Sequence, residues 1–268
     1  LAHTILVAED FLGDSEFIMY LGDNVIKGGI ARHSDHFRDL GPDSLVLLTE
    51  VEDPQRFGVA DLDEGGRVKK LVEKPTVPPS NYALVGIYFF KSLIIEACKR
   101  IKPSRRGELE ITDAIQWLID NGHRVEASIV DGWWKDTGKA EDILEANRLI
   151  LDEMKSKNDG IARGSKVFGR VVIGKGTVIE NSEIKGPCIL GENCRIVDSY
   201  IGPYTSVNNE CTIEGTEIED SVVMEECSIS NAGRITESLI GKNVRIGENG
   251  RRPMGHRLIV GDNSEILL

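Results

Sequence analysis

The chain has 268 residues, 40% hydrophobic and 28% charged, and its 32 basic against 44 acidic side chains give a formal net charge of −12. This is a globular composition, and its acidic balance repels phosphate backbones, so no nucleic-acid partner is expected. No apolar run reaches the ~18 residues of a membrane helix, so no membrane partner is expected, and five cysteines without a CxxC pair point to a reducing cytoplasm rather than structural zinc.

In chain order, Leu1, Ile5, Ala8 and Leu12 recur at helical spacing, and Gly13 can close that helix. The run Phe17-Ile18-Met19-Tyr20-Leu21 reads as a buried strand, expected to be parallel, that ends at Gly22-Asp23. Leu45-Val46-Leu47-Leu48 is a second strand. Residues 57–62 and 68–72 flank Asp63-Glu64-Gly65-Gly66, a hairpin signal, and residues 84–90 form a further strand. Residues 93–101, 108–119 and 139–154 read as helices. Strands interleaved with helices predict an α/β domain over 1–154.

Residues 155–160 are a polar bridge, and beyond them the pattern changes. Ile173, Ile179, Ile184, Leu190, Ile196, Ile201, Val207, Ile213, Ile218, Val223, Ile229, Ile235, Ile240 and Ile246 are separated by eight steps of six and five steps of five. A six-residue repeat with an aliphatic corner is the signature of a parallel β-helix, in which three repeats build one triangular coil. The all-β domain is expected over 161–268. Cys194, Cys211 and Cys227, spaced 17 and 16 apart, are expected as stacked interior residues.

Five motifs in order carry a family resemblance: Leu21-Gly22-Asp23-Asn24, Phe57-Gly58-Val59, Glu73-Lys74-Pro75, Arg106-Gly107-Glu108-Leu109-Glu110-Ile111-Thr112-Asp113 and Trp134-Lys135-Asp136-Thr137-Gly138. The first half resembles sugar-1-phosphate nucleotidylyltransferases, most closely the long-form glucose-1-phosphate thymidylyltransferases. The resemblance implies an incomplete Rossmann-like nucleotidyltransferase domain followed by a left-handed parallel β-helix of hexapeptide repeats. It implies transfer of a nucleotidyl group from dTTP to glucose 1-phosphate, with Mg²⁺ as cofactor and a sugar 1-phosphate and a nucleoside triphosphate as partners. A homo-oligomer formed through the β-helix is also implied. The family's Gly-rich triphosphate loop would precede Leu1, so this chain alone is expected to turn over poorly.

By the same resemblance Asp23 and Asp136 are catalytic and hold the metal. Glu73 accepts a sugar hydroxyl, Lys74 and Arg106 meet the sugar phosphate, and Gly58, Val85 and Gly86 line the sugar pocket. From the residues alone, Asp23 also reads as a turn residue and Asp136 as the N-cap of the 139–154 helix. Gly58 also reads as a strand bulge, Val85 as core, and Glu73-Lys74 as a solvated pair. Tyr88 reads as core. Two other functional classes follow from the repeats: a hexapeptide acyltransferase, although no histidine precedes His256 in the coils, and an assembly or regulatory module.

Overall fold

The computed structural model describes residues 1–248 and 256–259; the rest of the expected 161–268 domain lies outside the described residues. The chain divides into two compact units, Leu1–Asp136 and Thr137–Leu268.

The first unit contains α1 (Ala2–Val7), α2 (Glu9–Leu12), β1 (Phe17–Tyr20), β2 (Asn24–Ile26), α3 (Ala31–Leu40), β3 (Ser44–Glu50), β4 (Gly58–Leu62), β5 (Val68–Glu73), β6 (Tyr82–Phe90), α4 (Leu93–Arg100), α5 (Ile111–Asp120), β7 (Val125–Ile129) and β8 (Trp134–Asp136). Its main sheet runs β5-β4-β6-β3-β7, with β1 also paired to β6, and β2 and β8 form a separate ribbon. The sheet is mixed. β3 and β7 pair in parallel, while β1, β3 and β4 are all antiparallel to β6. The expectation of a buried, parallel-paired strand before Asp23 is corrected accordingly: β1 runs antiparallel to β6 and exposes Ile18 and Tyr20 on one face.

The expected first helix is broken at Ala8, and Gly13, at φ 52°, terminates its second piece. The hairpin at 63–66 is present, held by Asp63 Oδ1 accepting from the amides of Gly65 and Arg67, each at 2.9 Å. β6 is buried along almost its whole length and separates two apolar clusters. Val46, Leu48, Leu84, Tyr88 and Phe90 pack with α1, α4 and α5 on one face. Leu45, Leu47, Val85, Ile87 and Phe89 pack with Phe37 and Val130 on the other. Continuous apolar runs are what strands covered on both faces require.

The second unit opens with α6 (Ala140–Glu153) and continues as a left-handed parallel β-solenoid. The sequence boundary at 154 tracks the change of periodicity, whereas by packing the division precedes α6. This helix is tied to the coils by Asn147 Nδ2 donating to Tyr204 O at 2.8 Å, by Ser206 Oγ donating to Asn147 Oδ1 at 2.6 Å, and by the Arg148 fork on Asp220. Its N-cap is Lys139, whose amide donates to Asp142 Oδ2 at 3.0 Å. Asp136 therefore does not cap it.

Coils stack in register: Ile179 lies on Ile196, then Ile213, then Ile229. The marked aliphatic residues fill one continuous core, with Ile235 and Ile246 partly buried against it. Two positions before each from Ile179 to Ile240 lies a small residue, giving columns such as Thr177, Cys194, Cys211, Cys227 and Ser182, Ser199, Thr216. The hydroxyls of the second column bridge coils: Ser182 Oγ accepts from Ser199 N at 3.0 Å, and Ser199 Oγ from Thr216 N at 3.2 Å. The three cysteines are buried as expected, each thiol donating to a carbonyl of the next turn: Asn208, Met224 or Gly241. All five cysteines are free. Among the described residues no helix is long and apolar enough to cross a membrane.

Candidate active site

The turn after β1 is built by Leu21 N donating to Gly86 O and Asn24 N donating to Leu21 O, at 3.0 and 3.1 Å. It delivers Asp23 to the start of β2. β2 and β8 are antiparallel with Asn24 opposite Asp136, so Asp23 and Asp136 emerge exposed at the same end of this ribbon. Gly86, at φ 80°, lies under the turn, where a Cβ would stand 2.8 Å from Asn24 Nδ2 and 3.0 Å from Leu21 Cδ1. Only glycine combines that backbone with that contact. Its neighbour Val85 is fully buried in the core beneath.

A second group converges from β4, β5 and the segment before α5. Gly58 faces Glu73 across the β4–β5 pair. Glu73 accepts from Thr112 Oγ1 at 3.3 Å and meets Arg106 Nη1 at 3.5 Å. Arg106 also reaches Glu108 at 3.3 Å and the buried Glu110 at 3.7 Å, and Ser104 Oγ donates to Glu110 at 2.8 Å. Burial raises the Glu73 carboxyl above its ordinary value, and the Glu110 charge adds to this; Lys74, the Thr112 hydroxyl and Arg106 pull it back. Tyr88, core as expected, is raised too, by burial first and then by Glu73. Lys74 is exposed and left-handed, at φ 41°.

The two groups meet through Phe57 and Trp134, whose rings lie edge to face at 5.1 Å. The structure thus brings Asp23, Asp136 and Gly86 together in one group and Gly58, Glu73, Lys74 and Arg106 in another, joined by this ring contact, while Val85 is buried in the core. The site exposes carboxylates on one side and cations beside a half-buried glutamate on the other, an arrangement suited to a hydroxylated ligand carrying phosphate.

The nucleotidyl transferase family model matches residues 1–153, more than half of the chain. The chain belongs to the nucleotidyl transferase family. A second model, the GMPPB C-terminal domain, matches residues 184–266. The chain is 49% identical to a glucose-1-phosphate thymidylyltransferase of Streptomyces antibioticus, over 99% of this chain and 75% of that protein. It is 45% identical to the low-salt glycan biosynthesis nucleotidyltransferase Agl11 of Haloferax volcanii, over 100% of this chain and 76% of that protein. A Bacillus anthracis crystal structure assigned as a glucose-1-phosphate thymidylyltransferase, in complex with a sucrose, superposes with a TM-score of 0.52 at 36% identity, covering 59% of this chain and 63% of that one. The chain thus spans about three quarters of the length of these curated relatives and less than two thirds of that solved chain.

Within this nucleotidyltransferase framework, sequence reasoning had not singled out Asn24, Glu110, Thr112 and Trp134. All four lie inside the quoted motifs. Asn24 and Trp134 lie on three-residue strands, too short to leave a periodicity, while Glu110 and Thr112 sit at the N-terminal end of α5, where burial rather than sequence pattern sets their contacts.

Proposed function

We propose that the chain carries the site for nucleotidyl transfer from dTTP to glucose 1-phosphate, which forms dTDP-glucose and releases pyrophosphate. The observation that carries this reading is the placement of Asp23 and Asp136 at one end of the β2–β8 ribbon, a ribbon whose Trp134 packs on Phe57, next to the Gly58 that faces Glu73. A sugar-phosphate oxygen attacks the α-phosphorus in line and the bond to pyrophosphate breaks. The nucleophile is already anionic, so the protein's task is positioning and charge neutralisation.

Glu73 accepts a sugar hydroxyl, and Gly58 and Gly86 admit the ring close to the backbone. Arg106 presents its planar fork to the sugar phosphate, exchanging its carboxylate contacts for phosphate oxygens, and Lys74 adds a second cation. Val85 supports Gly86 from below. Among the described residues no three His, Cys, Asp or Glu side chains form a complete metal cage. Two exposed carboxylates at one end of a ribbon fit Mg²⁺, which is commonly held by one or two carboxylates with water and substrate phosphates completing its shell. Asp23 and Asp136 would hold it, and it would neutralise charge on the phosphate oxygens.

Two further parts of the reading concern setting and assembly. Five free, buried cysteines fit a reducing cytoplasm. Exposed Ile161, Phe168 and Met224 on the solenoid support a homo-oligomer, and a monomer by light scattering overturns that part. Acyl transfer is not favoured, because residues 161–248 contain no histidine to act as base.

The test is titration of dTDP-glucose into the chain with Mg²⁺. Binding that weakens in Glu73→Ala and depends on metal in wild type but not in Asp23→Ala is expected. A folded chain that binds no sugar nucleotide overturns the reading.

A further inference from the structure

Asn24 is 7% exposed and every polar group of its side chain is engaged. Trp134 Nε1 donates to Asn24 Oδ1 at 2.7 Å, and Asn24 Nδ2 donates to Asp23 Oδ1 at 2.9 Å. The indole N–H can only donate and the carboxylate can only accept, so these partners fix which end of the amide is which. The backbone is equally constrained, since Asn24 O accepts from Tyr20 OH at 3.0 Å and its amide closes the turn on Leu21. Asn24 also stands opposite Asp136 in the ribbon and rests on Gly86.

We propose that Asn24 is a positioning residue that aims the Asp23 carboxylate and fixes its spacing from Asp136, so that the pair is set for a divalent cation before substrate arrives. The inference rests on the reading of Asp23 and Asp136 as metal ligands. Two properties of the chain argue for it. Asn24 hydrogen-bonds one of these carboxylates with its side chain and pairs with the other across the strands. Its second partner, Trp134, lies two residues before Asp136 on β8, so the Trp134–Asn24–Asp23 chain of hydrogen bonds couples the two strands from which the carboxylates project. Groups that orient metal-binding side chains in this way are worth roughly 10–100-fold in metal affinity.

The experiment measures Mn²⁺ affinity by electron paramagnetic resonance in the presence of dTDP-glucose, with melting temperature recorded for each protein and the Trp134 indole N–H resonance for each that retains Trp134. Asn24→Leu keeps the branched outline of the side chain and removes both hydrogen bonds. It is expected to bind Mn²⁺ at least roughly tenfold more weakly and to shift the indole resonance, while remaining folded. Trp134→Phe leaves the amide free to turn and gives a smaller loss in the same direction; it carries the test if Asn24→Leu does not fold. Wild-type Mn²⁺ affinity in whichever of these variants is folded overturns the inference. Asp23→Asn is the separate control. If it leaves Mn²⁺ affinity unchanged, the metal reading itself fails and the role of Asn24 falls with it; if it abolishes binding while the Asn24 variant binds normally, only the role of Asn24 fails.

Discussion

Gly58 and Glu73 face each other so closely that a Cβ on Gly58 would stand 3.1 Å from Glu73 Oε2, with Leu84 Cδ1 at 2.7 Å and Thr112 Cγ2 at 2.9 Å on its other sides. The glutamate is thus held in a pocket whose wall is the absence of a side chain. Gly58→Ala should cost about 1–3 kcal/mol through overpacking. It should also move the Glu73 carboxylate and weaken dTDP-glucose binding. Denaturant melts and a binding titration check both, and an alanine tolerated in both assays would show that Leu84 and Thr112 yield freely.

Glu73 itself is held at a stability cost. Its folded pKa is raised above the reference 4.5, through burial first and then Glu110. The folded state therefore holds the proton more tightly than the unfolded one. The contribution of this group to stability is greatest at acid pH and falls as pH rises from the unfolded value through the folded one. Glu73→Gln should accordingly be more stable than wild type at neutral pH, by about 0.5–2 kcal/mol. The advantage should shrink in acid, and sugar-nucleotide affinity should be lost. Melts across that pH range decide it; a variant less stable than wild type at neutral pH contradicts the argument.

Lys74 adopts a left-handed backbone immediately before Pro75, a combination that L-residues avoid. Lys74→Gly should relieve about 1 kcal/mol of strain while removing the cation assigned to the sugar phosphate. Higher thermal stability with weaker binding is the expected pair of results, read by calorimetry and titration. Lower stability would mean that the Lys74 side chain holds the loop.

His33 is buried between α3 and β7. Arg32 Nε donates to its Nε2 at 3.3 Å, so the neutral ring carries its proton on Nδ1, which donates to Ser128 Oγ at 2.7 Å. Burial lowers its pKa below 6.5, with Arg32 and His36 acting in the same direction and Asp131 opposing. The unfolded state protonates first as pH falls, so this contribution to stability is complete above 6.5 and is lost below it, down to the depressed folded value. His33→Gln should flatten the stability profile across about pH 5 to 7, measured by urea melts. An unchanged slope would assign the acid sensitivity to other groups.

In the solenoid, Ser199 Oγ donates to Val197 O at 2.6 Å and accepts from the buried amide of Thr216. Ser199→Ala strands that amide and should cost about 1–3 kcal/mol, against almost nothing for an exposed serine. Urea melts of the two variants test the difference.

How much of this was legible in the sequence depends on the length scale of each signal. The aliphatic phase from Ile173 to Ile246 spans many turns, so its periodicity identifies the solenoid, and the stacked cysteines follow from it. The hydroxyl column two residues earlier went unread because Ser182, Ser199 and Thr216 look like ordinary turn residues until coils are stacked. α3 was missed because His33 and Phe37 are its only buried side chains. β2 and β8 are three residues each and exist through each other, a non-local pairing that no window can display. The carboxylates at their ends were reachable through motif resemblance alone, and the Asn24 amide that links them required coordinates.

Ile179 pairs with Ile196 and Ile184 with Ile201, 17 residues later in each case. Length in this half of the molecule is therefore quantised. Excising residues 182–198 brings Ser199 to the position of Ser182 and keeps every column in phase, whereas a cut one residue longer or shorter rotates all later side chains out of the core. The solenoid can lengthen or shorten over evolution only by whole coils, or by a compensated step such as the bulge between Glu214 and Thr216.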